Sequence, residues 1–254
     1  MSPSPSDDLW IRRFQPAPEA TERLVCFPHA GGSASFYLPV SSALSPEVDV
    51  VAVQYPGRQD RRRERGLTSI AELADGVTEA LAAWDDRPLT FFGHSMGSVV
   101  AFEVARRMER AGSGPVRLFA SGRRAPSRTR GEKVHTLHDA AVVAELRSLS
   151  GTDTQFLDDE ELLRMVLPAI RSDYQAVETY RCDPGATVRC PVTVLVGFDD
   201  PKTSLDEARA WEEHTLSGMD LRVFPGGHFF LSEHPADVIA VLTEHFSATA
   251  SRQA

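Results

Sequence analysis

The sequence predicts an α/β protein, with a mostly parallel, doubly wound sheet carrying a helical insertion. Three observations predict it. Short apolar runs bounded by turn residues alternate with segments whose apolar residues recur at helical spacing, as in a parallel sheet wrapped by crossover helices. The run Leu89-Thr90-Phe91-Phe92 ends in Gly93-His94-Ser95-Met96-Gly97 and passes straight into a helical pattern. Two later strand ends, Gly197-Phe198-Asp199-Asp200-Pro201 and Pro225-Gly226-Gly227-His228, place acids and a histidine just past a strand. Sites in open parallel sheets form at the carboxyl ends of strands, so residues distant in sequence converge there.

The elements follow in order. Residues 1–20 read as a flexible lead-in; Met1 to Asp8 is rich in serine and proline and lacks the basic and apolar regions of a signal peptide. Leu24–Phe27 and Val50–Val53 read as buried strands closed by Pro28 and by Pro56-Gly57. Ile70, Leu73, Val77 and Leu81 mark an amphipathic helix ending near Trp84. Behind the Gly-x-Ser-x-Gly turn, Val100, Val104 and Met108 share one helical face, and Gly112 and Gly114 stop it. Val116–Ala120 is another strand.

The alternation then breaks, and 125–181 holds two helical patterns with no strand between them. The first carries Val142, Val143, Leu146 and Leu149, with Asp139 as its cap and Gly151 as its stop. The second starts after Asp158-Asp159 and carries Leu162, Leu163, Val166 and Leu167, with Pro168 expected to kink or break it. Such an insertion beside a site reads as a lid. The strand Val192–Val196, a helix around Leu205 to Trp211, the strand Leu221–Phe224 and a helix with Val238, Val241, Leu242 and Phe246 complete the pattern. The expected organisation is a core over 21–124 and 182–247, a lid over 125–181 and a flexible tail over 248–254.

Composition narrows the function classes. A chain of 254 residues, 42% hydrophobic, suits one large α/β domain. No stretch approaches the ~20 apolar residues of a membrane span. A net charge of −9 argues against a nucleic-acid partner. The three cysteines lack metal-site spacing, and Cys26 sits in an apolar strand pattern as a small buried hydrophobe, so a reducing cytoplasm is the simplest location. Metal-ligand clusters, Gly-x-Gly-x-x-Gly and a P-loop lysine are all missing, so neither metal nor cofactor is expected.

A strand ending in Gly-x-Ser-x-Gly ahead of a helix is the nucleophile elbow of α/β-hydrolases, and serine, acid, histidine is that class's chain order. Ser95 needs a base to take its proton. Of eight histidines, His228 is preferred, because a strand and Pro225-Gly226-Gly227 deliver it to the sheet edge. His94 adjoins Ser95 on a turn where neighbours point apart, and His29 lies in a glycine-rich loop that contributes through its backbone. His135, His138, His214 and His245 read as surface residues of helical segments, and His234 precedes a helix start at Pro235. Asp200 is preferred to Asp199 as the orienting acid because Pro201 fixes the chain direction behind it. The exit Ser121-Gly122-Arg123-Arg124 of the preceding strand has no carboxylate. The oxyanion donors are expected to be the amide of Met96 and one from Pro28-His29-Ala30-Gly31-Gly32, with Ala30 chosen and Gly31 its competitor.

The segments Phe27–Ala34, Tyr55-Pro56-Gly57-Arg58, Gly93–Gly97, Leu167–Tyr174, Glu178–Tyr180 and Phe224–Leu231 together closely resemble the type II thioesterases. These free-standing editing enzymes accompany polyketide synthases and nonribosomal peptide synthetases. The resemblance runs from Leu24 to Phe246. It implies an α/β-hydrolase fold and hydrolysis of acyl thioesters from the phosphopantetheine arm of carrier proteins, with Ser95, Asp200 and His228 at the triad positions. Relatives often place polar residues before the acid, where this chain has Gly197-Phe198. Carrier domains are acidic, which draws attention to two basic runs, Arg58 to Arg65 and Arg123 to Lys133. Arg123, Arg124 and Arg128 are the expected carrier-docking residues. The rivals are an esterase or acyltransferase with the same triad, and a non-catalytic carrier-binding scaffold.

Overall fold

The computed structural model describes residues 7–149 and 159–253. Its strands are β1 (Ile11–Arg13), β2 (Arg23–Phe27), β3 (Asp49–Val53), β4 (Leu89–His94), β5 (Arg117–Ser121), β6 (Val192–Gly197) and β7 (Met219–Phe224). They form a seven-stranded sheet in the order β1-β3-β2-β4-β5-β6-β7. Every neighbouring pair is parallel except β1 with β3. The helices are α1 (Asp7–Trp10), α2 (Leu38–Leu44), α3 (Ile70–Leu81), α4 (Met96–Arg110), α5 (Asp139–Leu149), α6 (Glu160–Thr179), α7 (Leu205–Arg209), α8 (Phe230–Glu233) and α9 (Pro235–Gln253). This is the α/β-hydrolase architecture expected from the sequence.

Strands β2, β3, β4 and β6 are buried along their whole length, which is why they read as continuous apolar runs rather than alternating ones. Successive side chains still point to opposite faces. Val25, Phe27 and Phe91 join α3 and α4 in one core, while Leu24, Cys26 and Phe92 join α2 and α9 in the other. Helices α5 and α6 lie between β5 and β6 in sequence and pack on each other through Val142, Leu167, Ile170 and Tyr174.

Four expectations need correction. Within the span read as a flexible lead-in, Ile11–Arg13 adds an antiparallel edge strand, with Ile11 opposite Val53, and Ala17 and Ala20 are buried. Helix α9 continues through most of the expected tail, to Gln253. Helix α6 runs unbroken through Pro168. Pro168 and Arg164 both lie on the exposed face, so water can serve the carbonyl that loses its helical partner, while Leu167, Ala169 and Ile170 anchor the buried face. His214 is buried, not a surface residue; its Nδ1 meets the Ala186 carbonyl at 2.8 Å and its Nε2 meets Ser127 Oγ at 2.8 Å.

The helix caps differ in detail as well. Asp139 is the first residue of α5 rather than its cap, and the His138 ring accepts from the Ala141 amide at 3.3 Å. Asp159 caps α6, accepting from the amides of Glu161 and Leu162. Gly151, Asp158 and residues 1–6 and 254 lie outside the described residues.

Candidate active site

Ser95 occupies the turn between β4 and α4 with φ +53° and ψ −118°, a strained backbone for a residue with a side chain. The flanking glycines make that turn possible by their size. A Cβ on Gly93 would lie 2.4 Å from the Gly97 carbonyl oxygen, and one on Gly97 would lie 2.0 Å from the Phe27 carbonyl oxygen at the end of β2. The Ser95 amide bonds the Ser121 carbonyl at 2.8 Å, and Ser98 Oγ donates to the carbonyls of Gly93 and Ser121. The elbow is therefore tied to the adjacent strand end from both sides.

Three side chains from three strand ends meet in line. Ser95 Oγ lies 3.0 Å from His228 Nε2, and His228 Nδ1 lies 3.0 Å from both carboxylate oxygens of Asp200. Asp200 is buried and also accepts from the Lys202 amide at 2.8 Å, whereas Asp199 is exposed. The geometry thus brings together the three residues singled out in the sequence and separates the two aspartates. With Nδ1–H donated to a carboxylate, Nε2 is left as the acceptor facing Ser95, the tautomer a base requires.

Aromatic and imidazole rings pack around His228. Phe229 lies 5.2 Å from its ring, 4.9 Å from His29 and 5.3 Å from His94. Burial, helped by the charges of His228 and Arg58, holds His29 down at about 3, and burial likewise pushes His94 well below its ordinary value. Both neighbours are therefore neutral imidazoles at physiological pH.

The glycine-rich loop after β2 is shaped by a contact the sequence reading did not find. Asp173, fully buried on α6, accepts from the Gly31 amide at 2.7 Å and from both ends of the Arg58 guanidinium at 2.8 Å each. Arg58 also donates to the carbonyls of Gly32 at 3.1 Å and Pro56 at 3.2 Å. Gly31 has φ +76°, and a Cβ there would strike Ile170 of α6 at 2.7 Å. The signal for Asp173 was present in the sequence: a carboxylate in register with Ile170, Tyr174 and Val177 on an otherwise apolar helix face. With the Gly31 amide bound by Asp173 and the Gly32 amide by the His29 carbonyl at 2.9 Å, Gly31 is removed as a donor and the amides of His29 and Ala30 remain without an acceptor among the described residues. Met96 is the first residue of α4, so its amide has no intrahelical acceptor.

Ser95, His228 and Ala30 open onto a narrow cavity of about 40 Å³ beneath Leu146 and Leu149 of α5 and Val177 of α6. The expected docking arginines are not a free surface patch, and that expectation is corrected. Arg124 is buried, donating to Glu132 at 2.5 Å and to the Lys202 carbonyl at 3.1 Å. Arg128 is ion-paired with Glu213, and Arg123 lines the cavity itself. Glu132 and Glu213 absorb the charge of Arg124 and Arg128.

A family model described as a thioesterase domain matches residues 22–246. The chain belongs to the thioesterase family. It is similar to the protein named Thioesterase PikA5 of Streptomyces venezuelae, 51% identical over 243 residues that cover 95% of this chain and 86% of that protein. A probable cadicidin biosynthesis thioesterase of Streptomyces griseus is 56% identical over 225 residues, covering 89% of this chain. This chain spans 62% of the length of that relative. Among solved structures, the type II thioesterase BorB from the borrelidin biosynthetic cluster superposes with a TM-score of 0.89 at 53% identity, covering 94% of this chain and 98% of that one. YbtT, a type II thioesterase from the yersiniabactin pathway, superposes with a TM-score of 0.84 at 30% identity, over 94% of this chain and 98% of that one. No helix among the described residues of this thioesterase is long and apolar enough to cross a membrane.

Proposed function

We propose that this thioesterase hydrolyses acyl thioesters held on the phosphopantetheine arm of carrier proteins, clearing stalled or aberrant acyl groups in polyketide or nonribosomal peptide biosynthesis. The observation that carries the reading is the unbroken hydrogen-bond line from Ser95 through His228 to Asp200, at a cavity that Ala30 also lines. Similar proteins support the biosynthetic setting, since BorB comes from the borrelidin biosynthetic cluster and YbtT from the yersiniabactin NRPS/PKS biosynthetic pathway.

In the proposed reaction Ser95 Oγ attacks the thioester carbonyl carbon while its proton passes to His228 Nε2. Asp200 stabilises the imidazolium, and the amides of Ala30 and Met96 hold the oxyanion. The C–S bond breaks, the thiol leaves with the proton from His228, and the acyl group remains on Ser95. A free thiol ionises near pH ~8.5, so departure needs little acid assistance. Water then gives its proton to His228 and attacks the acyl-enzyme, releasing the acid and restoring Ser95. Helices α5 and α6 act as the lid that keeps the acyl-enzyme from bulk water. Three free cysteines, two of them buried, support a reducing cytoplasm as the place of action.

The test is acid release from a panel of acyl-phosphopantetheinyl carrier proteins by wild type and Ser95→Ala. Hydrolysis that disappears in the variant is the expected result. Equal rates in the two proteins, or carrier binding without hydrolysis by wild type, would overturn the reading.

A further inference from the structure

The two basic runs singled out in the sequence are neutralised to different extents. In the run after β5, Arg124 pairs with Glu132, Arg128 with Glu213 and Arg130 with Glu207. The loop between β3 and α3 sets five arginines against two acids between residues 58 and 65. Both acids are engaged. Asp60 accepts from Arg12 at 2.5 Å, and Glu64 takes Arg61 through both carboxylate oxygens, at 2.8 and 2.5 Å. Arg58 is held by Asp173. Arg62, Arg63 and Arg65 are exposed and make no ion pair among the described residues.

The loop that carries these three is braced. Arg61 is buried; it donates to the Gln54 carbonyl at 2.8 Å, and its guanidinium lies over the Trp10 ring, 4.4 Å from the centroid. The Gly57 amide bonds the Arg61 carbonyl at 3.1 Å. Gln59 Nε2 donates to Ser33 Oγ at 3.4 Å, just past the glycine-rich loop, and a Cβ on Gly66 would lie 2.6 Å from Ser172 Oγ on α6. The unpaired cations therefore stand on the same sheet edge as the reacting serine, packed against the loop and the lid helix that border it. Across that edge β3 is two strand spacings, about 10 Å, from the strand that ends at Ser95.

The whole chain has a net charge of −9, so a local cluster of one sign attracts a compact acidic partner while the remaining surface repels it, and the encounter is oriented. Resting on the thioesterase reading, we propose that Arg62, Arg63 and Arg65 are the docking surface for the acidic face of the carrier protein. The reach of the arm agrees. From phosphate to thiol it is a chain of about thirteen bonds, as long as roughly four extended residues or ~15 Å. A carrier seated on this rim thus has enough arm to cross the sheet edge and bring its thioester down to Ser95.

The test uses one acyl group on two thiols, a phosphopantetheinyl carrier protein and free pantetheine, which has neither protein nor phosphate. In the variant Arg62→Glu/Arg63→Glu/Arg65→Glu, kcat/KM on the acyl carrier is expected to fall at least tenfold, mainly through KM. Its kcat/KM on acyl-pantetheine should match wild type. Added salt should lower carrier turnover in wild type and much less in the variant. Arg110→Glu/Arg189→Glu, at the opposite edge of the sheet, controls for net charge and should leave carrier turnover within about twofold of wild type. Unchanged carrier kcat/KM in the triple variant, an equal loss on acyl-pantetheine, or an equal loss in the control would overturn the docking surface and leave the thioesterase reading standing. If wild type hydrolyses neither substrate, that reading falls, and titration of the labelled carrier by fluorescence anisotropy decides the surface alone. Binding at least tenfold weaker in the triple variant would uphold it, and equal binding would refute it.

Discussion

Arg58 and Arg123 lie in sequence runs that look alike, but Arg58 is buried and Arg123 is half-buried. The molecule treats them in opposite ways. Arg58 meets the carboxylate of Asp173 with both ends of its guanidinium and ties α6 to the loop that presents Ala30. Arg123 meets no acid among the described residues and lines the cavity instead. The paired cation fixes the loop after β2, whereas the half-buried Arg123 feels only the diffuse charges of Arg124, Glu132 and Glu207.

The largest effect that would break this contrast is expected from Asp173→Ala. Removing one partner of a buried ion pair strands the other, so stability should fall by about 3–5 kcal/mol in denaturant titration. The Gly31 amide is freed at the same time, and labelling of Ser95 by a fluorophosphonate should slow in the protein that remains folded. A loss below about 1 kcal/mol would mean that the clamp is replaceable. Next comes Arg58→Lys. A point-like ammonium cannot span both carboxylate oxygens, and a loss of about 2 kcal/mol is expected by the same titration.

Arg123→Met sharpens the comparison from the other side. Deleting a cation that has no partner should leave stability unchanged or raise it by about 1 kcal/mol. A loss as large as that for Asp173→Ala would show that Arg123 is a structural group after all.

A comparable effect concerns pH. His29 is held near 3 in the folded state against an ordinary 6.5, so its contribution is complete above about 6.5 and is lost progressively as pH falls toward about 3. By pH 5.5 this costs about 1 kcal/mol. His29→Phe, which keeps an aromatic ring between Phe36 and Phe229, should flatten the decline of Tm between pH 7 and 5.5. An unchanged slope would assign the acid sensitivity to other groups.

Much of this was legible in the sequence because it is local. The nucleophile turn is written in five consecutive residues, and Ser95 and Asp200 each follow a strand whose buried apolar run announces itself, while His228 follows the largely exposed β7 and is announced by Pro225-Gly226-Gly227. The preference for Asp200 over Asp199 rested on Pro201, and the buried position of Asp200 beside His228 agrees with it. What was not legible depends on partners far away in the chain. Arg58 and Asp173 are 115 residues apart, and the choice of Ala30 over Gly31 turns on that contact. The same reason undid the docking patch: Arg128 reads as a free cation until Glu213 arrives beside it. The edge strand Ile11–Arg13 was missed because three residues are too few to show a period, and Pro168 misled because its exposed face lets solvent replace the missing helical bond.

The central claim, that Ser95 carries the acyl group, is tested most directly by intact-protein and peptide mass spectrometry after brief mixing with an acyl-phosphopantetheinyl carrier protein. The expected result is the mass of one acyl group on the peptide bearing Ser95 in wild type, and its absence in Ser95→Ala. Free acid released with no acyl adduct at Ser95, or an adduct that persists in Ser95→Ala, would contradict it.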